Sequence, residues 1–371
     1  MKEIPRTQSG PPEDGTVEKP ADFSRLPSFS AGVIFIPVIS LLVLVLLVLI
    51  LNDSPARTLY FLFIGPFRNL YSFGNMLNAS VPLVLGALGV TVAMKAGSLN
   101  LGGEGQIYLG AFTTIAAVLS LSKNGIMHFG AAGIIIAATA GVLSSGAMAA
   151  FSGFLKAKWN TSELITTFLL SNAVIPIINF LVTGPFLDPE TSLQSTKKIA
   201  ENMRLPFILK PSSLNTGFFI VLIFTVLVHF FLVRTKTGYE IRMTGSNELF
   251  ARYGGINTKF NIILAMSISG GFYGLAGAFS VLGTYHAVVK EFSAGLGWNA
   301  LAVALIARFY IPAVIPAALF FAWISAGARI AMQNTGLTYE VASIVQAVIF
   351  FLSTSLVIRN IYSHKRKIKN E

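Results

Sequence analysis

The chain has 371 residues, 54% hydrophobic and 12% charged, with a mean hydropathy of +0.70 and a net charge of +11. Soluble domains carry about 25% charged residues, so this composition excludes an ordinary water-solvated globule and requires lipid around most of the chain. Cysteine is absent, which excludes disulfides, thiolate metal sites and thiol nucleophiles; the basic residues are spread over loops flanking apolar runs, which is membrane topology rather than a nucleic-acid patch.

Residues 1–30, with Pro11, Pro12, Glu13, Asp14 and Pro20, read as a disordered polar tail and not as a cleavable leader. Ala31 to Leu51 is the first run long enough to span a bilayer, and Asn52, Asp53 and Pro55 end it. Thr58 to Ile64 is too short to cross and reads as interfacial. Further spans are predicted over Ser72–Met94, Ile107–Leu121, Phe129–Gly153, Ser162–Val182, Asn215–Val233, Phe260–Leu282, Leu296–Ala307, Ile311–Ile330 and Val341–Ile358. The fold class is therefore all-α, a polytopic membrane protein of about ten helices, occupying residues 31–358. The run from Leu296 is short enough to be a half-helix. A basic tail, residues 359–371, closes the chain.

Three interruptions are too polar or too long to be plain connections. Lys95 to Gln106, KAGSLNLGGEGQ, combines Lys95, Asn100, Glu104 and Gln106 with four glycines. Ionisable groups near membrane depth face protein or an aqueous cavity, and irregular backbone is tolerated there only in such places. The passage reads either as a helix broken near the membrane midplane that lines a substrate path or as an ordinary turn. Residues 184–213 form a long loop rich in Pro, Ser and Thr on one side of the membrane. Residues 234–259 form a basic stretch on the other, where Ser246 or Asn247 caps a short helix through Tyr253, Gly254 and Gly255 stop it, and Leu249, Phe250 and Tyr253 make an apolar face. Such a helix suits docking into a groove of another protein or lying on anionic lipid. Lys and Arg are about twice as abundant on the side bearing this stretch, which predicts that it and both termini are cytoplasmic.

Two sets of side chains pattern at helical spacing. Ala137, Gly141, Ser145, Ala149 and Gly153 recur every fourth residue, and Gly270, Gly271, Gly274 and Gly277 crowd a later span; both allow close helix packing. Thr166, Thr167, Ser171, Asn172 and Asn179 share one span and offer hydroxyl and amide groups to a polar ligand or to neighbouring helices. Enzymatic motifs are missing: the sequence has no phosphate-binding glycine loop of the GxxxxGK[ST] type, no HExxH, no GxSxG, and four histidines without ligand spacing. No catalytic or metal site is assigned.

At these residues the chain resembles the membrane permease subunits of ABC importers for nucleosides and simple sugars, relatives of the ribose and branched-chain amino acid permeases. KAGSLNLGGEGQIYLGAF, TSELITTFLLSNAVIPIINFLVTGPFLDP and GYEIRMTGSNELFARYGGINTKFNIILAMSISGGFYGLAGA carry the likeness. The resemblance implies a transport subunit without its own ATPase site or cofactor, ATP and Mg²⁺ belonging to two partner ATPase subunits. It further implies a second homologous permease subunit and an extracytoplasmic substrate-binding lipoprotein at a bacterial inner membrane. Arg242, Gly245, Asn247, Glu248, Ala251, Arg252, Tyr253 and Gly255 fall on or within the ATPase-coupling segment. Asn100, Glu104, Gln106, Thr166, Thr167 and Asn172 are the expected substrate path. The family's Met-Leu-Asn-Tyr pattern reads Leu170-Ser171-Asn172-Ala173 here, which removes a Tyr able to stack on a ligand. Nucleosides are the expected substrates, with riboflavin or a monosaccharide behind them; an ion-coupled secondary transporter, relying on Glu104, is the rival class.

Overall fold

The computed structural model describes residues 32–51, 54–123, 130–293, 295–335 and 347. Among them every regular element is helical: α1 (Gly32–Leu51), α2 (Pro55–Phe63), α3 (Leu70–Lys95), α4 (Gly103–Lys123), α5 (Gly130–Trp159), α6 (Glu163–Thr183), α7 (Gly217–Arg234), α8 (Lys236–Ser246), α9 (Glu248–Tyr253), α10 (Thr258–Ser280), α11 (Leu296–Ile306) and α12 (Ile311–Thr335). Six are long and apolar enough to cross a membrane: α3, α5, α6, α7, α10 with its following turn to Tyr285, and α12. The chain is a multi-pass membrane protein. Of the ten expected spans, α1, α4 and α11 fall outside those six, and the run from Val341 lies outside the described residues.

The α3 helix is the hub, with 83% of its apolar window buried, and α7, α10, α11 and α12 pack around it. The α4, α5 and α10 helices meet along a seam of small residues. A Cβ at Gly274 would run into the Gly141 carbonyl, one at Gly270 into the Ser145 carbonyl, and one at Gly277 into the Ile107 carbonyl. The two small-residue patterns read from the sequence are thus the two faces of one seam. In lipid, contact of this kind supplies the attraction that hydrophobicity cannot.

The bundle has two distinct ends. One carries α8, α9 and the residue pair Lys95 and Lys156. The other carries residues 184–216, which hold a single short 3₁₀ turn, Glu201–Met203, and are strapped to the segment after α10. The Thr196 amide donates to the Val288 carbonyl (3.0 Å), Ile199 to His286 (2.9 Å), and Lys290 to Gln194 (2.9 Å). Val288 donates in turn to the Thr196 hydroxyl (3.0 Å). With its amides engaged in this way, residues 286–293 run without helix, and α11 starts only at Leu296, after Gly295 in the left-handed region at φ +81°. The backbone at Arg308 and Phe309, φ +51° and +54°, ends it. A half-helix is what remains.

Several boundaries differ from expectation, α5 running on to Trp159 and α12 to Thr335, and two differences bear on the site. The α4 helix begins at Gly103 rather than near Ile107, so Glu104 and Gln106 stand on its first turn. The basic stretch holds a helix not foreseen, α8: Thr235 caps it by accepting from the Gly238 amide (3.0 Å), while Gly238 and Gly245 mask its helical character in the sequence.

Overpacking a tight helix contact costs about 1–3 kcal/mol. Gly274→Val therefore lowers the thermal unfolding midpoint of the detergent-solubilised subunit by several degrees. Gly254→Ala, whose added Cβ meets its nearest neighbour at 3.4 Å, leaves the midpoint within about a degree.

Candidate functional site

The passage between α3 and α4 is folded into protein. Asn100 and Gln106 are fully buried and pair amide to amide: Asn100 Nδ2 donates to Gln106 Oε1 (2.8 Å) and Gln106 Nε2 to Asn100 Oδ1 (3.1 Å). Asn100 Nδ2 also reaches the Ser269 hydroxyl on α10 (3.1 Å), and the Gly102 amide donates to Asn100 Oδ1 (3.0 Å). The α6 helix supplies acceptors for two further amides: Leu101 donates to Thr167 Oγ1 (3.1 Å) and Gly105 to Ser171 Oγ (2.7 Å). Thr167 is itself fully buried. Backbone freed from a helix away from water must find partners, and these side chains are the partners. In this conformation Asn100, Gln106 and Thr167 hold the passage together, while Thr166 and Asn172 are at least partly exposed on α6.

A charge pair that sequence reading missed closes the passage at the α8–α9 end. Lys156 Nζ, on α5, contacts Glu163 Oε1 (2.8 Å), the Gly97 carbonyl (2.9 Å) and Ser98 Oγ (2.9 Å). The two side chains are only 18% and 15% exposed. Both residues lay near predicted span ends, where a charge reads as topology; their proximity depends on the α5–α6 turn and left no mark in the spacing.

The α8 helix sits directly on this passage. A Cβ at Gly245 would meet the Lys95 carbonyl and the Gly97 amide, and Gly97 itself has φ +71°, so glycine is needed on both sides of the contact. Asn247, rather than Ser246, caps α9 by accepting from the Phe250 amide (2.9 Å); the Ser246 hydroxyl instead closes α8 on the Arg242 carbonyl (2.9 Å). Gly255, at φ +77°, turns the chain, and Asn257 caps α10 on the Phe260 amide (3.1 Å). Ala251 anchors α9 in the bundle, while Leu249, Phe250 and Tyr253 stand 55%, 63% and 91% exposed. Arg252 and Glu248 pair along this short helix at 2.9 Å.

A third group surrounds the start of α11. Glu104 Oε2 accepts from the Gly297 amide (2.9 Å), a carboxylate at a helix N-terminus where the dipole favours it. The next residue, Trp298, lies edge-on to Phe168 of α6, ring centroids 6.3 Å apart. Further along, the Tyr108 hydroxyl donates to Asn179 Oδ1 (2.7 Å) and accepts from the Glu291 amide (3.2 Å), and Asn179 Nδ2 reaches Glu291 Oε1 (3.3 Å). Trp298 and Glu291 were not singled out in the sequence. A Trp flanked by Gly297 and Asn299 at the head of a short apolar run was the available signal.

Removing one member of a largely buried ion pair leaves the other charged and unpaired, at a cost of up to about 3–5 kcal/mol. Glu163→Leu should therefore sharply lower the unfolding midpoint of the purified subunit, and Lys156→Met added to it should recover most of the loss. A double variant as unstable as the single one would show that the ammonium contacts to Gly97 and Ser98 matter more than the charge pair.

Comparison with known proteins gives this arrangement a family. A family described as "Branched-chain amino acid transport system / permease component" matches residues 72–354. The chain is similar to the "Probable riboflavin import permease protein" of Treponema pallidum, 33% identical over 82% of this chain and 80% of that one. It is also similar to the guanosine ABC transporter permease protein of Bacillus subtilis, 30% identical over 87% and 92% of the two chains. The nucleoside ABC transporter permease protein of Lactococcus lactis is 29% identical over 83% and 86%. No solved structure matches significantly. A match that takes in the passage after α3, the α8–α9 unit and the start of α11 assigns the chain to the ABC transporter permease components of this family.

Proposed function

We propose that the protein is the membrane permease subunit of an ATP-driven importer for nucleosides or related ribosyl compounds. It has no ATPase site of its own and works with a second permease subunit, two cytoplasmic ATPase subunits and a substrate-binding lipoprotein outside. The observation that carries this reading is the α8–α9 unit. Its apolar residues Leu249, Phe250 and Tyr253 are exposed, while the body of the unit abuts the polar passage after α3 through Gly245. A partner that moves α9 therefore acts on the backbone between α3 and α4.

The basic balance of the loops supports a cytoplasmic position for this end and for both termini in a bacterial inner membrane. Residues 184–216 then face outward, where a lipoprotein would deliver its ligand. Ten spans result if α1, α4, the segment 286–306 and the run from Val341 cross with the six long helices, and residues 95–106 then act as a broken helix at membrane depth. Substrate would pass along α6 and the start of α11, by Thr166, Asn172 and Glu104, with Asn100, Gln106 and Thr167 shaping the wall. Nucleosides are favoured over simple sugars because the guanosine and nucleoside permeases, at 30% and 29% identity, match this chain more closely than the glucose permease of Haloferax volcanii at 27%.

The coupling assignment is tested by Arg252→Glu in the assembled importer, reconstituted in proteoliposomes. The variant should reach the membrane at wild-type level yet lose at least about tenfold in ATP-driven guanosine uptake, one broken charged contact being worth on that order. Uptake at the wild-type rate would refute a motor contact at α9.

A further inference from the structure

The exposed faces of α6 and α7 differ in kind. On α7 the exposed side chains include Phe219, Ile223, Val226, Leu227, Phe230 and Val233, all apolar, as a lipid-facing surface requires. On α6 the exposed face carries Ile165, Phe168, Leu169, Ile177 and Phe180 but also one amide, Asn172; Trp298 lies against Phe168, and the exposed Glu291 reaches Asn179 two turns further on. Amides and carboxylates inside a membrane face protein or a water-filled route. The strip of α6 around Asn172, rather than its wholly apolar remainder, is therefore the part suited to a path.

Within it, Phe168 and Trp298 are 43% and 40% exposed and inclined to each other at 61°. An edge-to-face pair leaves ring faces open, where a stacked pair would have covered one on each side. The backbone beneath both rings is fixed. Phe168 is on a continuous helix, and Trp298 follows Gly297, whose amide is held by Glu104. Asn172 lies one turn beyond Phe168; its Nδ2 donates to the Phe168 carbonyl (2.9 Å), which fixes the amide and leaves Oδ1 and the second N–H for a ligand.

We propose that Phe168 and Trp298 form an aromatic station that stacks a flat heteroaromatic ring of the transported molecule, with the Asn172 amide reading the ring edge. The assignment rests on the nucleoside reading above and specifies which part of the substrate this wall recognises. It also supplies, from α11, the stacking surface that the Asn172-Ala173 sequence lacks. Glu104 acts through Gly297 as a positioning residue for the station.

Stacking of a base on an aromatic side chain is worth about 1–3 kcal/mol, so the complete importer carrying Trp298→Ala should lose about tenfold or more in guanosine uptake. Trp298→Phe should remain within about threefold. Both variants should keep wild-type membrane levels and unfolding midpoints, which a folding defect would not. Guanosine uptake unchanged in Trp298→Ala, or equally lost in Trp298→Phe, overturns the station while leaving the nucleoside reading intact. A wild-type importer that moves glucose but not guanosine overturns the nucleoside reading and the station with it.

Discussion

The backbone between Lys95 and Gly103 leaves the helix where most of it is packed against the rest of the bundle. Every amide and carbonyl freed there needs a partner from the chain itself. The partners come from the segment and the helices around it: Asn100 accepts from the Gly102 amide, Thr167 on α6 from Leu101, and Lys156 on α5 donates to the Gly97 carbonyl, while Gln106 on α4 and Ser269 on α10 hold the Asn100 side chain. Satisfying one irregular segment thus fixes the relative positions of most of the bundle. It also explains why so much small-residue packing lies nearby, since the α4–α5–α10 seam brings the donors within reach.

The same segment links the two ends physically. On one side Gly245 of α8 touches it at Lys95 and Gly97. On the other, Glu104 grips the first turn of α11 through Gly297, and the chain preceding α11 is strapped to residues 194–199. A displacement of α9 can therefore reach the half-helix and the opposite loop through a close backbone approach at Gly245 and hydrogen bonds beyond it. Allosteric switching needs elements with discrete alternatives rather than a deformable core, and a half-helix held by one carboxylate meets that description better than a full span.

Much of this was legible in the sequence because it rests on local chemistry. Long apolar runs give spans, Asn247 gives a cap, Gly255 gives a turn, and glycine or serine every fourth residue gives a close-packed face. The missing features depend on contacts distant in sequence. Gly238 and Gly245 disfavour helix locally, yet α8 forms because Gly238 packs on the end of α7 and Gly245 on the passage after α3. Asn100, Gln106 and Thr167 read as path-lining groups because a polar residue in an apolar span has two uses; the bonds these three make to one another and to the backbone show only in the distances. Trp298 could not be paired with Phe168 from a separation of 130 residues.

The central claim is that α9 is where a separate motor engages the bundle. The absence of cysteine from the sequence makes it directly measurable, since Tyr253→Cys introduces a single thiol at a position 91% exposed in the isolated subunit. In the assembled importer this thiol should be protected from a maleimide and should cross-link to an ATPase subunit. A thiol that stays fully reactive in the complex and forms no such cross-link would contradict the account.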